Sequence, residues 1–197
     1  MSYFQTENLR TLALVGHGSC GKTTLIEAML YRSGMIPEPG TVERGNTMCD
    51  NDALEKEVGH SIRLAVAHID TAMPNLTPVR IHVLDTPGYP DYIGQDLSAL
   101  DAVKSVAAVI DATKGVDLFT QRMMDMAAER KLCRMIVVNK FDVPEANLEE
   151  LLAEMQAIWG PGVLPINLPT QNHAHVIDCF EREEGESDIM SVADVHR

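Results

Sequence analysis

A chain of 197 residues with 45% hydrophobic and 23% charged side chains can hold one domain with a sizeable core and a small appendage. A formal net charge of −13 excludes a surface that grips nucleic acid by itself, because phosphate binding takes clustered Lys and Arg. No run of about 18 apolar residues and no basic-then-apolar leader occurs, so the sequence predicts no membrane span, no secretory signal and a cytoplasmic location.

In chain order, residues 12–15 (LALV) read as a short buried strand. Residues 23–31 carry Leu25, Ile26, Met29 and Leu30 at helical spacing, and Gly34 ends that helix. Residues 37–59 are polar, with Pro37, Pro39, Gly40, Gly45 and Asn46, and show no period, which predicts a mobile or functional segment. Ile62, Leu64 and Val66, then Val79, Ile81 and Val83, alternate with polar or small residues across a turn at 73–78, the pattern of a two-stranded hairpin. Residues 106–110 form an apolar run entering Asp111, and 118–131 are helical, with Met123, Met124 and Met126 read as core filling rather than a soft packing surface. A second apolar run, 135–138, enters Asn139, and 148–159 are helical again. Beyond Gly160 the pattern weakens into Pro161, Pro165 and Pro169 and a solvated acidic stretch, 181–188. Strands alternating with helices predict an α/β fold, a mostly parallel doubly wound sheet with one antiparallel edge hairpin, whose ligands sit outside the carboxyl ends of the strands.

Chemistry-bearing motifs fall at those strand ends. GHGSCGKT, residues 16–23, fits GxxxxGK(S/T), in which glycines turn backbone amides toward phosphate oxygens at a helix N-terminus. Gly16, His17, Gly18, Ser19, Cys20, Gly21, Lys22, Thr23 and the adjoining Thr24 are therefore candidate nucleotide-binding residues. Lys22 is placed to reach terminal phosphates, and the Thr23 hydroxyl to ligate Mg²⁺. DTPG, residues 85–88, follows the second hairpin strand, so Asp85 can hold Mg²⁺ through water while the Gly88 amide meets a γ-phosphate. NKFD, residues 139–142, supplies Asn139, Lys140 and Asp142; the Asp142 carboxylate can accept both N1–H and N2–H of guanine, a donor pair adenine lacks. His173 and His175 stand two apart with no third ligand nearby, and read as surface histidines. Cys20, Cys49, Cys133 and Cys179 are scattered with no CxxC pair, which predicts reduced thiols.

With these motifs in order, the chain resembles the GTP-binding domain of the translational GTPases, most closely elongation factor G and its paralogues. The likeness runs from NLRTLALVGHGSCGKTTL through HVLDTPGYPDYIGQDLSALDAVKSVAAVIDATKGV to CRMIVVNKFD. It implies a P-loop NTPase G-domain over residues 1–160, GTP or GDP and Mg²⁺ as ligands, hydrolysis of GTP, and the ribosome as partner. It also implies two switch regions, at 38–61 and 85–97. The family's first switch ends in Arg-Gly-Ile-Thr, and VGHSI here places Ser61 on the magnesium-binding threonine, with Val58 in place of the arginine. The family's DTPGH carries a histidine that orients the attacking water; Tyr89 stands there instead, so Lys22, Gly88 and Tyr89 are the candidate catalytic residues and hydrolysis is expected to be slow or partner-dependent. The family's further guanine-contacting segment, of the Ser-Ala-Leu or Ser-Ala-Lys kind, does not occur before Arg197. The chain thus reads as an N-terminal piece lacking its C-terminal strand, with 161–197 as the start of elongation factor G's inserted subdomain. A slow-hydrolysing GTP switch and a tetracycline-resistance-type ribosomal protection GTPase are the alternatives.

Overall fold

A computed structural model describes residues 4–49, 52–71, 77–170 and 175–196, in two compact units: 1–110 with 117–137, and 111–116 with 138–197. The first unit opens with a short 3₁₀ turn, Thr6–Asn8, that leads into β1 (Leu9–Val15). α1 (Lys22–Arg32), α2 (Ala53–Val58), β2 (Ala65–Thr71), β3 (Val79–Asp85), α3 (Ile93–Ala102), β4 (Ser105–Asp111), α4 (Leu118–Glu129) and β5 (Cys133–Asn139) follow. The sheet order is β2-β3-β1-β4-β5; β1 is parallel to both β3 and β4, and β2 is antiparallel to β3 at the edge. This is the mixed, mostly parallel α/β sheet with an edge hairpin that the sequence predicts.

β1 becomes buried on both faces as it nears its carboxyl end, which is why residues 12–15 are continuously apolar rather than alternating. Leu14 joins Ile26 and Leu30 of α1 with Ile69, Val83, Ala107 and Val109 in one cluster, while Ala13 and Val15 are buried on the opposite face. Met123 and Met124 are buried as expected, whereas Met126 is only half-buried.

Departures from the sequence reading have local causes. β2 starts at Ala65, not Ile62, because the amides of Ile62 and Arg63 go to the Glu55 carboxylate and that of Leu64 to Gln95 Oε1, so no neighbouring strand takes them. Within the segment read as aperiodic, a 3₁₀ turn forms at Val42–Arg44 and α2 at Ala53–Val58. α2 is too short to carry a period, and it stands on a capping box between Asp52 and Glu55. α3 begins inside the stretch read only as a switch, 85–97, and runs past it to Ala102. α4 stops at Glu129, two residues early, as Lys131 turns left-handed with φ 56°. Most of the hairpin turn at 73–78, and His173, lie outside the described residues.

In the second unit, α5 (Leu148–Trp159) spans the predicted residues. β6 (Asn167–Thr170) and β7 (His175–Asp178) form an antiparallel pair, followed by α6 (Val192–Val195). Leu168, Ile177, Cys179 and Val192 make a small core there.

One side chain ties the polar segment to this frame. Glu27, on the buried face of α1 and 1% exposed, accepts from the amides of Gly40 at 2.7 Å and Met48 at 2.5 Å. Hydrogen bonds to a charged group contribute about 1.5–3 kcal/mol each, and their loss here leaves buried amides unsatisfied. Glu27→Ala is expected to cost about 3 kcal/mol or more in urea unfolding; a change below about 0.5 kcal/mol would show that 40–48 is held by something else.

Candidate functional site

The loop after β1 enters α1 through Gly21, whose φ of 100° lies in the left-handed region that a side chain would strain. Having no side chain, Gly21 caps nothing, so the first amides of α1 face outward with the helix dipole behind them. Lys22 is 5% exposed and folds back over the loop, its Nζ donating to the carbonyls of Gly16 at 2.8 Å and His17 at 3.0 Å. An ammonium held at that point is a positive charge framed by amide donors, a cradle for phosphate oxygens. The His17 amide is tied to Thr120 Oγ1 at 3.2 Å; Gly16, Gly18 and Cys20 are buried, while His17, Ser19 and Thr24 are exposed.

Parallel pairing of β1 with β3 sets Leu14 opposite Asp85, so the loops after both strands emerge together. Two bonds fasten them: Gly18 N–H donates to the Gly88 carbonyl at 2.8 Å, and Thr86 Oγ1 to the Leu14 carbonyl at 2.9 Å. Gly88 has φ 76°, and a Cβ there would collide with the Gly16 carbonyl and Lys22 Nζ, so only glycine fits. Thr23 Oγ1 donates to Asp85 Oδ2 at 2.6 Å, and Ser61 Oγ lies 3.3 Å from the same hydroxyl. Two hydroxyls and a carboxylate, all at most 9% exposed, form a hard oxygen set that fits Mg²⁺. Among the described residues no cluster of three or more His, Cys, Asp or Glu could hold a metal. Magnesium needs none, since it takes one or two protein oxygens, phosphates and water.

Tyr89 lies half-buried across the loop. A Cβ on Gly18 would overlap its ring and come within 2.5 Å of its hydroxyl, and the same ring meets the His60 ring with centroids 4.7 Å apart. The structure thus brings Lys22, Thr23, Ser61, Asp85, Gly88 and Tyr89 together, and leaves Val58 45% exposed.

The second unit carries NKFD. Asn139 ends β5 and its carbonyl accepts from Ala112 N–H at 2.9 Å. Lys140 is left-handed, φ 58°, and its Nζ pairs with Asp111 Oδ2 at 2.9 Å, while Thr113 also binds the Asp111 carboxylate through its amide and hydroxyl. Burial works to push the Asp111 carboxyl up, but the Lys140 ammonium and the Thr113 donors outweigh it and hold it below the usual carboxylate range. Asp142 is exposed at the end of this loop.

Sequence reasoning missed four supporting residues: Glu27, Asp111, Thr120 and Asp96. Glu27 alone left a readable signal, a carboxylate on the apolar face of a helix. Asp96, on the first turn of α3, is fully buried, and neither oxygen has a hydrogen-bond partner among the described residues, because the Thr86 hydroxyl nearby is committed to Leu14. Burial pushes its carboxyl up, and the pull of Thr86, Lys22 and Gly88 does not restore it. A raised folded value means the folded chain holds the proton more tightly than the unfolded one. The contribution is therefore complete in acid and is lost as pH rises through the folded value. Asp96→Asn is expected to raise Tm by about 2–4 °C at pH 7.5 and to lose that advantage below the carboxylate range; an equal Tm difference at both pH values would contradict it.

Comparison with known proteins agrees with this geometry. The family profile described as Elongation factor Tu GTP binding domain matches residues 7–192. An Elongation factor G-like protein of Mycobacterium tuberculosis (strain CDC 1551 / Oshkosh) is 36% identical over 162 residues, 82% of this chain and 22% of that protein. Ribosome-releasing factor 2, mitochondrial, of Drosophila grimshawi is 36% identical over 174 residues, 88% of this chain and 23% of that protein. A crystal structure from Thermus thermophilus superposes with a TM-score of 0.79 at 36% identity, covering 87% of this chain and 26% of the other. The chain spans about a quarter of the length of these relatives. Because the profile runs unbroken through the phosphate loop, the Asp85 turn and the Asn139 loop, the chain belongs to the elongation factor Tu GTP-binding domain family, the translational GTPases.

Proposed function

We propose that this chain binds GTP or GDP with Mg²⁺ and hydrolyses GTP, as the GTP-binding part of an elongation factor G-like translation factor that acts on the ribosome in the cytoplasm. The observation that carries the reading is the junction of Thr23, Asp85 and Ser61 at the mouth of a phosphate loop, with Lys22 beside it. Mg²⁺ bound there would neutralise charge between the β- and γ-phosphates. Lys22 would exchange its bonds to the Gly16 and His17 carbonyls for phosphate oxygens, Gly88 would offer its amide to the γ-phosphate, and Asp142 would read guanine, with Asn139 and Lys140 shaping its loop. Residues 161–197 would be the start of the inserted subdomain, a reading supported by the small core of their own around Leu168. No helix among the described residues is long and apolar enough to cross a membrane. The acidic surface would leave ribosomal RNA to other parts of a longer protein.

Calorimetric titration with GDP, GTP and ATP in Mg²⁺ tests the binding claim. Guanine nucleotides are expected to bind and ATP not; Lys22→Ala should weaken GTP about 100-fold and Asp142→Asn roughly 10- to 100-fold. Equal affinity for ATP, or no effect of either substitution, would refute the assignment.

Position 89 would set the rate. A phenol has no imidazolium and carries its hydroxyl farther from the backbone, and here that hydroxyl rests on Gly18. Hydrolysis would then be slow away from the ribosome. Tyr89→His is expected to raise ribosome-stimulated turnover at least about tenfold; no gain would count against the role given to Tyr89.

A further inference from the structure

Hydrolysis of a nucleoside triphosphate needs a group that orients the attacking water, and an imidazole with a free ring nitrogen does this well. With the Tyr89 hydroxyl against Gly18, the phenol is turned onto the phosphate loop. The imidazole packed on that ring is His60, half-buried, with ring centroids 4.7 Å apart and planes at 43°. Tyr92 flanks the same ring at 6.4 Å. His60 directly precedes Ser61, whose hydroxyl lies 3.3 Å from Thr23 Oγ1, so the ring is carried one residue from the metal-binding oxygens.

The ring is also oriented. Nδ1 lies 3.2 Å from the Ser61 carbonyl, which only accepts, so Nδ1 donates there and Nε2 is the ring nitrogen that remains to meet a water. The other nearby imidazole, His17, has its Nδ1 on the Gly18 carbonyl at 2.8 Å, but its ring is exposed and 6.0 Å from Tyr89. It belongs to the loop rather than to the segment that brings Ser61.

We propose that His60 is the water-orienting catalytic residue of this site and that Tyr89 is its positioning residue, holding the imidazole by ring packing, with Gly18 kept bare to seat the phenol. The proposal rests on the GTPase reading above. In the step, the water oxygen forms a bond to the γ-phosphorus while the bond from that phosphorus to the β–γ bridging oxygen breaks, its electron pair leaving on GDP. One water hydrogen is held by Nε2 through the transition state and ends on the released phosphate. Because His60 and Tyr89 come from different segments, water orientation exists only when both are packed together. The two segments are thereby coupled through one ring contact.

The test is single-turnover hydrolysis of GTP·Mg²⁺ pre-bound to this chain, with affinity measured on the same preparations by fluorescence titration of a labelled GTP. His60→Ala is expected to lower the hydrolysis rate constant about 100-fold while affinity stays within about threefold. His60→Gln, whose amide oxygen can also accept from water, should recover most of the rate. Tyr89→Phe should keep more rate than Tyr89→Ala, and His60→Ala with Tyr89→Ala should be no slower than His60→Ala alone. Turnover at the wild-type rate in His60→Ala, collapse in His17→Ala but not in His60→Ala, or parallel loss of rate and affinity without rescue by glutamine would overturn the proposal. A wild-type chain that holds GTP·Mg²⁺ without hydrolysing it would overturn it too. A chain that fails to bind GTP would instead defeat the nucleotide-site reading beneath it, and this proposal with it.

Discussion

Everything at the candidate site depends on the parallel register of β1 and β3, which sets Leu14 opposite Asp85. Side chains in a strand alternate faces, so a slip of one residue would turn Asp85 away from Thr23 and bury the wrong set of β3 side chains. The register is locked from both directions. Apolar burial of Leu14 and Val83 in one cluster fixes the faces, and the bonds from Thr86 to Leu14 and from Gly18 to Gly88 fix the offset where the strands end. Two loops far apart in the sequence thus share a hydroxyl, a carboxylate and an ammonium at one place.

Around that frame, polar side chains do much of the fastening. Residues 40–64 place Cys49 in the core cluster, and their backbone amides need partners. Glu27 takes two of them, Glu55 takes those of Asp52, Ile62 and Arg63, and Gln95 takes that of Leu64. Such a segment is held largely by a few directional bonds to fixed points, with Cys49 as its anchor in the core, and these bring Ser61 and His60 to the site. Asp96 is different in kind. It is a buried acid without a hydrogen-bond partner among the described residues, and burial pushes its carboxyl up.

The sheet and the site loops were legible because their signals are local. The run at 12–15 is continuous since β1 is covered on both faces, the glycines of the phosphate loop mark a turn no side chain allows, and α5 carried a clean period over its whole length. What escaped was short or tertiary. α2 has six residues and rests on its capping box, and α3 starts in a stretch that reads as a switch and runs beyond it. The alternation places the first hairpin strand three residues too early, since Ile62 and Leu64 report side-chain pattern and not where the amides go. The contact between Tyr89 and Gly18 depends on two loops meeting, and no spacing rule announces it. His60 belongs to an aperiodic polar segment, and only its tertiary neighbours distinguish it.

The most direct measurement of the central claim is a crystal structure of this chain with a non-hydrolysable GTP analogue and Mg²⁺. The account requires Lys22 Nζ to leave the Gly16 and His17 carbonyls for phosphate oxygens, and the Thr23 and Ser61 hydroxyls to meet the metal. It also requires the Asp142 carboxylate on the guanine N1–H and N2–H. A nucleotide bound elsewhere, or Lys22 still on its carbonyls beside an occupied loop, would contradict it.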